Sequence, residues 1–265
     1  MPVPTLVRGI PGRHYVWPPG KVPPDLVVPS VTNILDEYAK PWLGPWMAKA
    51  AGEYTADNLD TLVALDRDAV ADVVTRASKR SSSAAMARGS EIHEAVDSFL
   101  SSGVHGSDLA QVEAAVDFVD RCVEEVLYHE ATIFSVEYQY AGTADLIVVL
   151  RSAAPVPPAL RGRTAVIDWK SGKVYPEVAL QLTAYSRGDF VVNEEGEDED
   201  LPAIDLGVVV QLPESGIWAA RPVELSDDIF RAFVALRTLA KYRAYIEPDA
   251  IGKAWKRSKA DKETE

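Results

Sequence analysis

The sequence has almost no cysteine and no long apolar segment, and each absence excludes a class of protein. Cys122 is the only cysteine in 265 residues. A single cysteine excludes an intramolecular disulfide, a multi-cysteine zinc site and a four-cysteine iron–sulfur cluster. No apolar run approaches the roughly 18–20 residues that a membrane-spanning helix needs, and the N-terminus lacks the basic and apolar stretches of a signal peptide. We therefore expect a cytoplasmic protein with no membrane association.

Positive charge is also scarce, because 27 Lys and Arg face 40 Asp and Glu, for a net charge of −13. Six of the acids fall between Glu194 and Asp200, a run that is typical of a solvated loop. Basic residues cluster between Arg76 and Arg88 and again from Lys253 to Lys262. Net charge describes solubility and long-range attraction rather than a local site, so it neither supports nor excludes a nucleic-acid partner.

The pattern of apolar residues predicts an α/β protein with one main domain. Residues 1–29 contain eight of the eighteen prolines and predict an irregular arm that could include a short strand. Helical spacing then extends from Ser30, a candidate N-cap, through helices near 70–77, 86–100 and 111–127. Strands are expected at 132–140, 144–150, 164–169, 206–212 and 217–223, with helices at 176–187 and 226–245. The interpretation is a helical part at 30–130, a β-rich core at 131–250 with helices flanking a mixed sheet, and a basic tail at 251–265.

Two acids and a lysine at the ends of apolar strands form the most informative pattern. Asp145 ends the segment Gly142-Thr143-Ala144-Asp145, and Asp168 and Lys170 lie in Ile167-Asp168-Trp169-Lys170-Ser171-Gly172. Residues two apart on a strand face the same way. If the two strands pair, both carboxylates and the ammonium group converge. Paired carboxylates repel unless a cation lies between them, and hard oxygen ligands suit Mg²⁺ or Mn²⁺.

The nearby lysine narrows the chemistry that such a site would perform. An ammonium group beside a metal site can orient or deprotonate a water, or neutralise charge that develops on a phosphate. This set therefore favours metal-assisted attack of water on a phosphodiester. The alternative is that Asp168 and Lys170 form an ordinary solvated pair at the end of a strand.

Three further polar residues are candidates for the same site. Gln181 and Tyr185 are four residues apart on the next predicted helix and share one face, from which they could bond to a DNA backbone. Their alternative role is an exposed glutamine and a half-buried tyrosine. His93 lies in a predicted helix, where imidazole could provide a metal ligand, although a single helical histidine is more often structural.

The order of these residues resembles the RecB-like branch of the PD-(D/E)XK nucleases, and in particular its phage-encoded and CRISPR-associated exonucleases. The resemblance covers about residues 85–190 and rests on His93, Gly142-x-x-Asp145, Asp168-Trp169-Lys170-x-Gly172 and Gln181-x-x-x-Tyr185. It implies a restriction-endonuclease-like core, a mixed central sheet flanked by helices. Ala144 departs from the proline of the family motif. Because the cluster cysteines of many CRISPR-associated members are absent, the resemblance implies an enzyme without an iron–sulfur cluster.

The resemblance also implies a role for each matching residue. His93, Asp145 and Asp168 would bind one or two Mg²⁺ or Mn²⁺ ions, with help from the backbone carbonyl of Trp169. Asp145, Asp168 and Lys170 would be catalytic. Four other residues complete the expected site: Gln181 and Tyr185, which would contact or position DNA, Arg88, which would neutralise a phosphate, and Glu137, which would lie just outside the ligands.

The function expected from this resemblance is a metal-dependent DNA exonuclease of phage recombination, replication or end processing. Its partner would be the ends of single- or double-stranded DNA in the host cytoplasm, together with a recombination or single-strand-binding protein. Ring-forming relatives leave a homo-oligomer open. Two alternatives remain: a non-catalytic DNA-binding or assembly factor on the same fold, and a site-specific endonuclease.

Overall fold

A seven-stranded mixed sheet lies at the centre of the computed structural model, which describes residues 13–16, 26–41, 43–103, 109–153, 155–193, 196–247 and 250–253. In chain order the elements are β1 (His14–Val16), β2 (Val27–Pro29), α1 (Val31–Leu35), α2 (Leu43–Asp57), α3 (Leu59–Leu62), α4 (Arg67–Ser102), α5 (Ala110–Cys122), β3 (Val123–Ser135), β4 (Tyr140–Leu150), a short 3₁₀ helix (Pro158–Leu160), β5 (Thr164–Lys170), α6 (Glu177–Ser186), β6 (Phe190–Val192), β7 (Asp198–Asp200), β8 (Leu206–Gln211), β9 (Ala219–Val223) and α7 (Asp227–Tyr245).

The strand order of the sheet is β7-β6-β3-β4-β5-β8-β9. Its neighbours pair antiparallel except β5 and β8, which are parallel because α6 lies between them in the chain. A parallel pair needs such a crossover, whereas antiparallel pairs can be joined by a turn. The prediction of a mixed α/β fold with helices flanking a mixed sheet is confirmed.

Apolar side chains cover both faces of the sheet. On one face, Ile92 of α4 and Phe118 of α5 pack against Leu146, Ile167 and other inward residues of β4, β5 and β8. On the opposite face, residues of α1, α6 and α7 pack against Ile147 and its neighbours. The site described below therefore lies on a sheet that is held from both sides.

Side chains at the helix ends explain where several helices begin and stop. The side chains of Ser30, Asp66 and Ser226 accept hydrogen bonds from the first turns of α1, α4 and α7, as N-cap residues do. Gly103 ends α4 in the left-handed conformation, with a φ of 67°. The N-cap predicted at Ser30 is confirmed, although α1 has only five residues. The helices expected near 70–77 and 86–100 are parts of the single helix α4.

The helix predicted at 111–127 is wrong beyond Cys122, where β3 begins. Its apolar residues do recur at helical spacing, but the stretch from Val123 pairs with β4 along the whole of that strand, from Val123↔Leu150 to Ser135↔Tyr140. Long cross-strand pairing outweighs a local preference of this kind. The single strand expected at 132–140 is likewise wrong, because a turn at 136–139 separates β3 from β4.

Two further expectations concern the acidic run and the N-terminal arm. The acidic run was expected as a loop, but Asp198–Asp200 forms β7, an exposed edge strand whose charges disfavour pairing with another chain; residues 194 and 195 lie outside the described residues. In the predicted arm, where a short strand was open, β1 and β2 pair antiparallel; residues 1–12 and 17–25 lie outside the described ranges. Most of the basic tail, from residue 254 onward, also lies outside it. None of the described helices has the length and apolar character needed to cross a membrane.

Candidate active site

Asp145 and Asp168 lie side by side where β4 and β5 separate. The two strands pair antiparallel from Val149↔Thr164 to Leu146↔Ile167, so the next residues, Asp145 and Asp168, face each other beyond the last pair. Oδ2 of Asp145 accepts a hydrogen bond of 2.7 Å from the backbone N–H of Trp169. The strand pairing on which the convergence of these acids depended is therefore present.

Asp168 is buried, with 1% of its surface exposed, and is surrounded by donors. The ammonium of Lys170 lies 2.8 Å from Oδ1 and 2.6 Å from Oδ2. The side-chain amide of Gln181 donates to Oδ1 at 2.9 Å. Although Oδ2 is close to the ammonium, no donor in the described residues bonds to it with hydrogen-bond geometry. Oδ2 therefore keeps acceptor capacity that no hydrogen bond within the described part of the chain uses.

Burial and charge act against each other in this pair. Burial raises the pKa of Asp168 to about 6, with a further contribution from the charge of Asp145, even though Lys170 favours the ionised form. Burial alone would lower the pKa of Lys170, but the charges of Asp168 and Asp145 outweigh it and raise that pKa. Lys170 is therefore a charged ammonium at neutral pH.

His93 reaches the same point from α4. One ring nitrogen, Nδ1, lies 3.4 Å from Oδ1 of Asp145, and Nε2 lies 3.1 Å from the carbonyl oxygen of Trp169. Burial would lower the pKa of His93, but the charge of Asp145 and its hydrogen bond raise it to about 9. The imidazolium in turn contributes to a lowered pKa of Asp145, against the effect of burial. His93 and Asp145 therefore form a second ion pair beside that of Asp168 and Lys170.

Glu130 is a member of this cluster that the sequence analysis missed. One oxygen each from Glu130 and Asp145 and one ring nitrogen of His93 lie within 4.8 Å of one another. Burial raises the pKa of Glu130 to about 7, and the charges of Asp145 and Asp97 contribute. The sequence did not indicate Glu130 because the segment before it has the apolar spacing of a helix. Had that segment been predicted as a strand paired with β4, Glu130 would have been placed opposite Asp145.

The two polar residues of α6 differ in exposure. Gln181 bonds to Asp168 and also approaches the hydroxyl of Tyr185 at 3.3 Å. Tyr185 is 3% exposed, and its ring packs so closely on Gly142 that a Cβ there would lie 2.6 Å from Cε1. The structure thus brings Gln181 to the acids directly and Tyr185 to them through Gln181.

The other predicted residues are placed differently. Arg88 lies on the exposed surface of α4, where Nη1 pairs with Oε1 of Glu214 at 2.9 Å.

Glu137 is exposed in the turn between β3 and β4, five residue pairs or roughly 17 Å along the hairpin from Asp145. Glu137 is therefore far from Asp145, whereas Glu130 of the same hairpin lies close to it. The side chain of Trp169 packs edge-on against Phe118, which leaves its backbone to serve the site.

Comparison with known proteins adds no relative to this picture. No family model matches the chain, and no curated protein matches it. The functional interpretation therefore depends on the geometry of the site.

Proposed function

We propose that this protein is a Mg²⁺- or Mn²⁺-dependent DNA exonuclease that hydrolyses phosphodiester bonds with a water nucleophile. The observation that carries the proposal is the buried Asp168–Lys170 pair beside Asp145 and His93, at the separating ends of two paired strands. A surface ion pair would have neither this burial nor a second carboxylate and an imidazole from distant elements. The alternative of an ordinary solvated pair is disfavoured for that reason.

The residues fit a divalent cation on chemical grounds. Imidazole nitrogen and carboxylate oxygen are donors that Mn²⁺ accepts, and Mg²⁺ prefers the oxygens. His93, Asp145 and Asp168 would hold the ion, and the carbonyl of Trp169, which bonds to His93, would hold that ring in place. A divalent ion supplies Lewis acidity to a water and to a phosphate oxygen. With one cysteine in the sequence, an iron–sulfur cluster has no ligand set.

Lys170 has two tasks in this proposal. As a charged ammonium in a buried setting, it holds the carboxylate of Asp168 in a fixed orientation. It also neutralises negative charge that accumulates on the phosphate as the bond to the leaving oxygen breaks, because charges interact strongly where water is excluded. Gln181 supports the same carboxylate from α6, with its amide group donating to Oδ1.

The fold and the remaining residues are consistent with DNA as the substrate. The order α5-β3-β4-β5-α6-β8 supports a restriction-endonuclease-like core, and helices α1–α5 would form a helical N-terminal half that holds DNA. Gln181 would contact the strand near the cleaved phosphate, Tyr185 would position Gln181, and Arg88 would bind a phosphate after leaving Glu214. A recombination or single-strand-binding partner in the cytoplasm, and assembly into a homo-oligomer, belong to the same proposal.

The test is degradation of end-labelled linear DNA with Mg²⁺, Mn²⁺ or EDTA, and with a covalently closed circle as a second substrate. We expect metal-dependent loss of the linear DNA alone, and at least a hundredfold slower loss for Lys170→Ala. Lys173→Ala is the matched control, since Lys173 is exposed three residues further on and its removal leaves the ion pair intact.

Other outcomes identify the alternatives. DNA binding without metal-stimulated cleavage would indicate a non-catalytic binding or assembly factor. Discrete cuts in the closed circle would indicate an endonuclease. Equal rates for Lys170→Ala and the unmodified protein would remove the site from the mechanism.

A further inference from the structure

We infer that Glu130 is an additional ligand for the divalent cation, joining the proposed ligands His93, Asp145 and Asp168. This inference rests on the metal dependence proposed above, and it assigns a role to a residue that none of the recognised motifs contains. Glu130 lies in β3, between the end of the helix predicted at 111–127 and the start of the strand predicted at 132–140.

The first argument is the register of the β3–β4 pair. His129 pairs with Leu146, and Ala131 pairs with Ala144, so Glu130 lies directly opposite Asp145. Opposed residues of antiparallel strands have Cβ atoms about 4.5–5.5 Å apart. Backbone pairing on either side of these two residues thus places them next to each other.

The second argument is the convergence of donors from three elements. His93 of α4 brings a ring nitrogen to the oxygens of Glu130 and Asp145, with all three atoms within 4.8 Å of one another. Donors that share one ion at about 2.1 Å lie roughly 3–4 Å apart. The three side chains therefore need only a small inward movement to enclose a cation.

The third argument is that Glu130 is unfavourable where it lies unless something compensates it. Its φ is 45°, a left-handed conformation that costs about 1 kcal/mol for a residue with a side chain. Like charges directly opposite each other in a sheet are destabilising, and Asp145 lies opposite. Among the described residues, no donor forms a hydrogen bond with the Glu130 carboxylate. A cation shared with Asp145 would remove the repulsion and supply the missing partner.

The experiment measures Mn²⁺ binding directly, by calorimetric titration and by the electron paramagnetic resonance signal of free Mn²⁺, without DNA. We expect Glu130→Gln to raise the Kd for Mn²⁺ at least tenfold, a loss in the range found when groups that support a metal are removed. Glu137→Gln is the matched control, because it removes the same charge from the exposed turn of the same hairpin and should leave the Kd unchanged.

A second variant covers the event that Glu130→Gln does not fold. Glu130→Asn tolerates the left-handed backbone better than most residues, and it also lacks the ligand carboxylate. We expect the same weakening of Mn²⁺ binding from it, with a circular-dichroism spectrum like that of the unmodified protein.

The possible failures are separable. Tight Mn²⁺ binding by the folded Glu130 variants, equal to that of the unmodified protein, would overturn the role of Glu130 and leave the proposed nuclease intact. No Mn²⁺ binding by the unmodified protein would overturn both. Weakened binding in the Glu130 variants, together with an absence of cleavage in the DNA assay, would support the ligand and reject the nuclease.

Discussion

At the scale of single residues, the site neutralises its own acids with two cations of the protein. Lys170 pairs with Asp168, and His93 pairs with Asp145. A buried carboxylate without a partner would be costly, so these pairs allow the strands to hold two acids close together. They also mean that the proposed metal ion would have to compete with a proton on His93, whose pKa is raised to about 9.

This competition predicts that Mn²⁺ binds more tightly as the pH rises. Below its pKa, His93 must release a proton before it can act as a ligand. We expect affinity to increase by about tenfold per pH unit between pH 7 and 9 and then to level off. Titration calorimetry at pH 7.5, in two buffers of different ionisation enthalpy, should show about one proton released per ion.

The control for this pH dependence is His93→Gln, which has no titrating group at that position. We expect weaker binding with a nearly flat pH dependence above pH 7. Below pH 7, Glu130 would add a second proton, because its pKa is raised to about 7. Binding by the unmodified protein with no proton release at pH 7.5 would contradict the pairing of His93 with Asp145.

At the scale of elements, the sequence predicts the parts of the site whose signal is local. The strand with Asp168 and Lys170 is a short apolar run, and α6 begins beside Pro176, where a proline is favoured. These two elements were therefore predicted nearly to the residue. The first half of strand β3 was not predicted, because this strand is stabilised by its pairing with β4, which is distant from it along much of the hairpin. The helical spacing of the valines before it indicated a helix instead. Glu130 was lost with that strand.

The close contact between β4 and α6 gives a prediction for Gly142. A Cβ at this position would lie 2.6 Å from Cε1 of Tyr185 and 3.0 Å from Cγ2 of Val31. Both of those side chains are buried and cannot move aside freely. We expect Gly142→Ala to lower the free energy of unfolding by about 1–3 kcal/mol, as overpacking does. Urea denaturation in EDTA measures this loss without a contribution from bound metal.

Gly172 provides the comparison, since it belongs to the neighbouring motif. A Cβ there would meet nothing within 4 Å, so Gly172→Ala should change the free energy of unfolding by no more than about 0.5 kcal/mol. Equal stability of the two variants would show that the glycine of the Gly142-x-x-Asp145 motif has a role other than the packing of Tyr185.

At the scale of the whole molecule, the site joins both helical layers to the sheet. α4 brings His93 from the layer on one face, and α6 brings Gln181 from the layer on the other. The bonded atoms of His93 and Trp169 are 76 residues apart in the chain. Such long-range contacts have no local signature, so the spacing of residues in the sequence alone could not predict them.

A ligand that joins several layers should stabilise the whole fold. At a Mn²⁺ concentration about a hundred times the Kd, binding adds about 2.7 kcal/mol to the free energy of unfolding. For a chain of this length, each kcal/mol raises the Tm by roughly 2–4 °C. We therefore expect thermal denaturation to shift upward by about 5–10 °C with Mn²⁺ at pH 8, and the shift to disappear with EDTA.

Two variants locate the ion that causes this shift. Asp145→Asn removes a central ligand and should abolish most of the stabilisation. Glu199→Gln removes a charge from the exposed acidic strand β7, the other place where acids are concentrated, and should retain it. If Asp145→Asn kept the full shift and Glu199→Gln lost it, the stabilising cation would bind at the edge of the sheet. The elements that meet at Asp145 would then be held together by apolar packing and the two ion pairs, without a contribution from a metal ion.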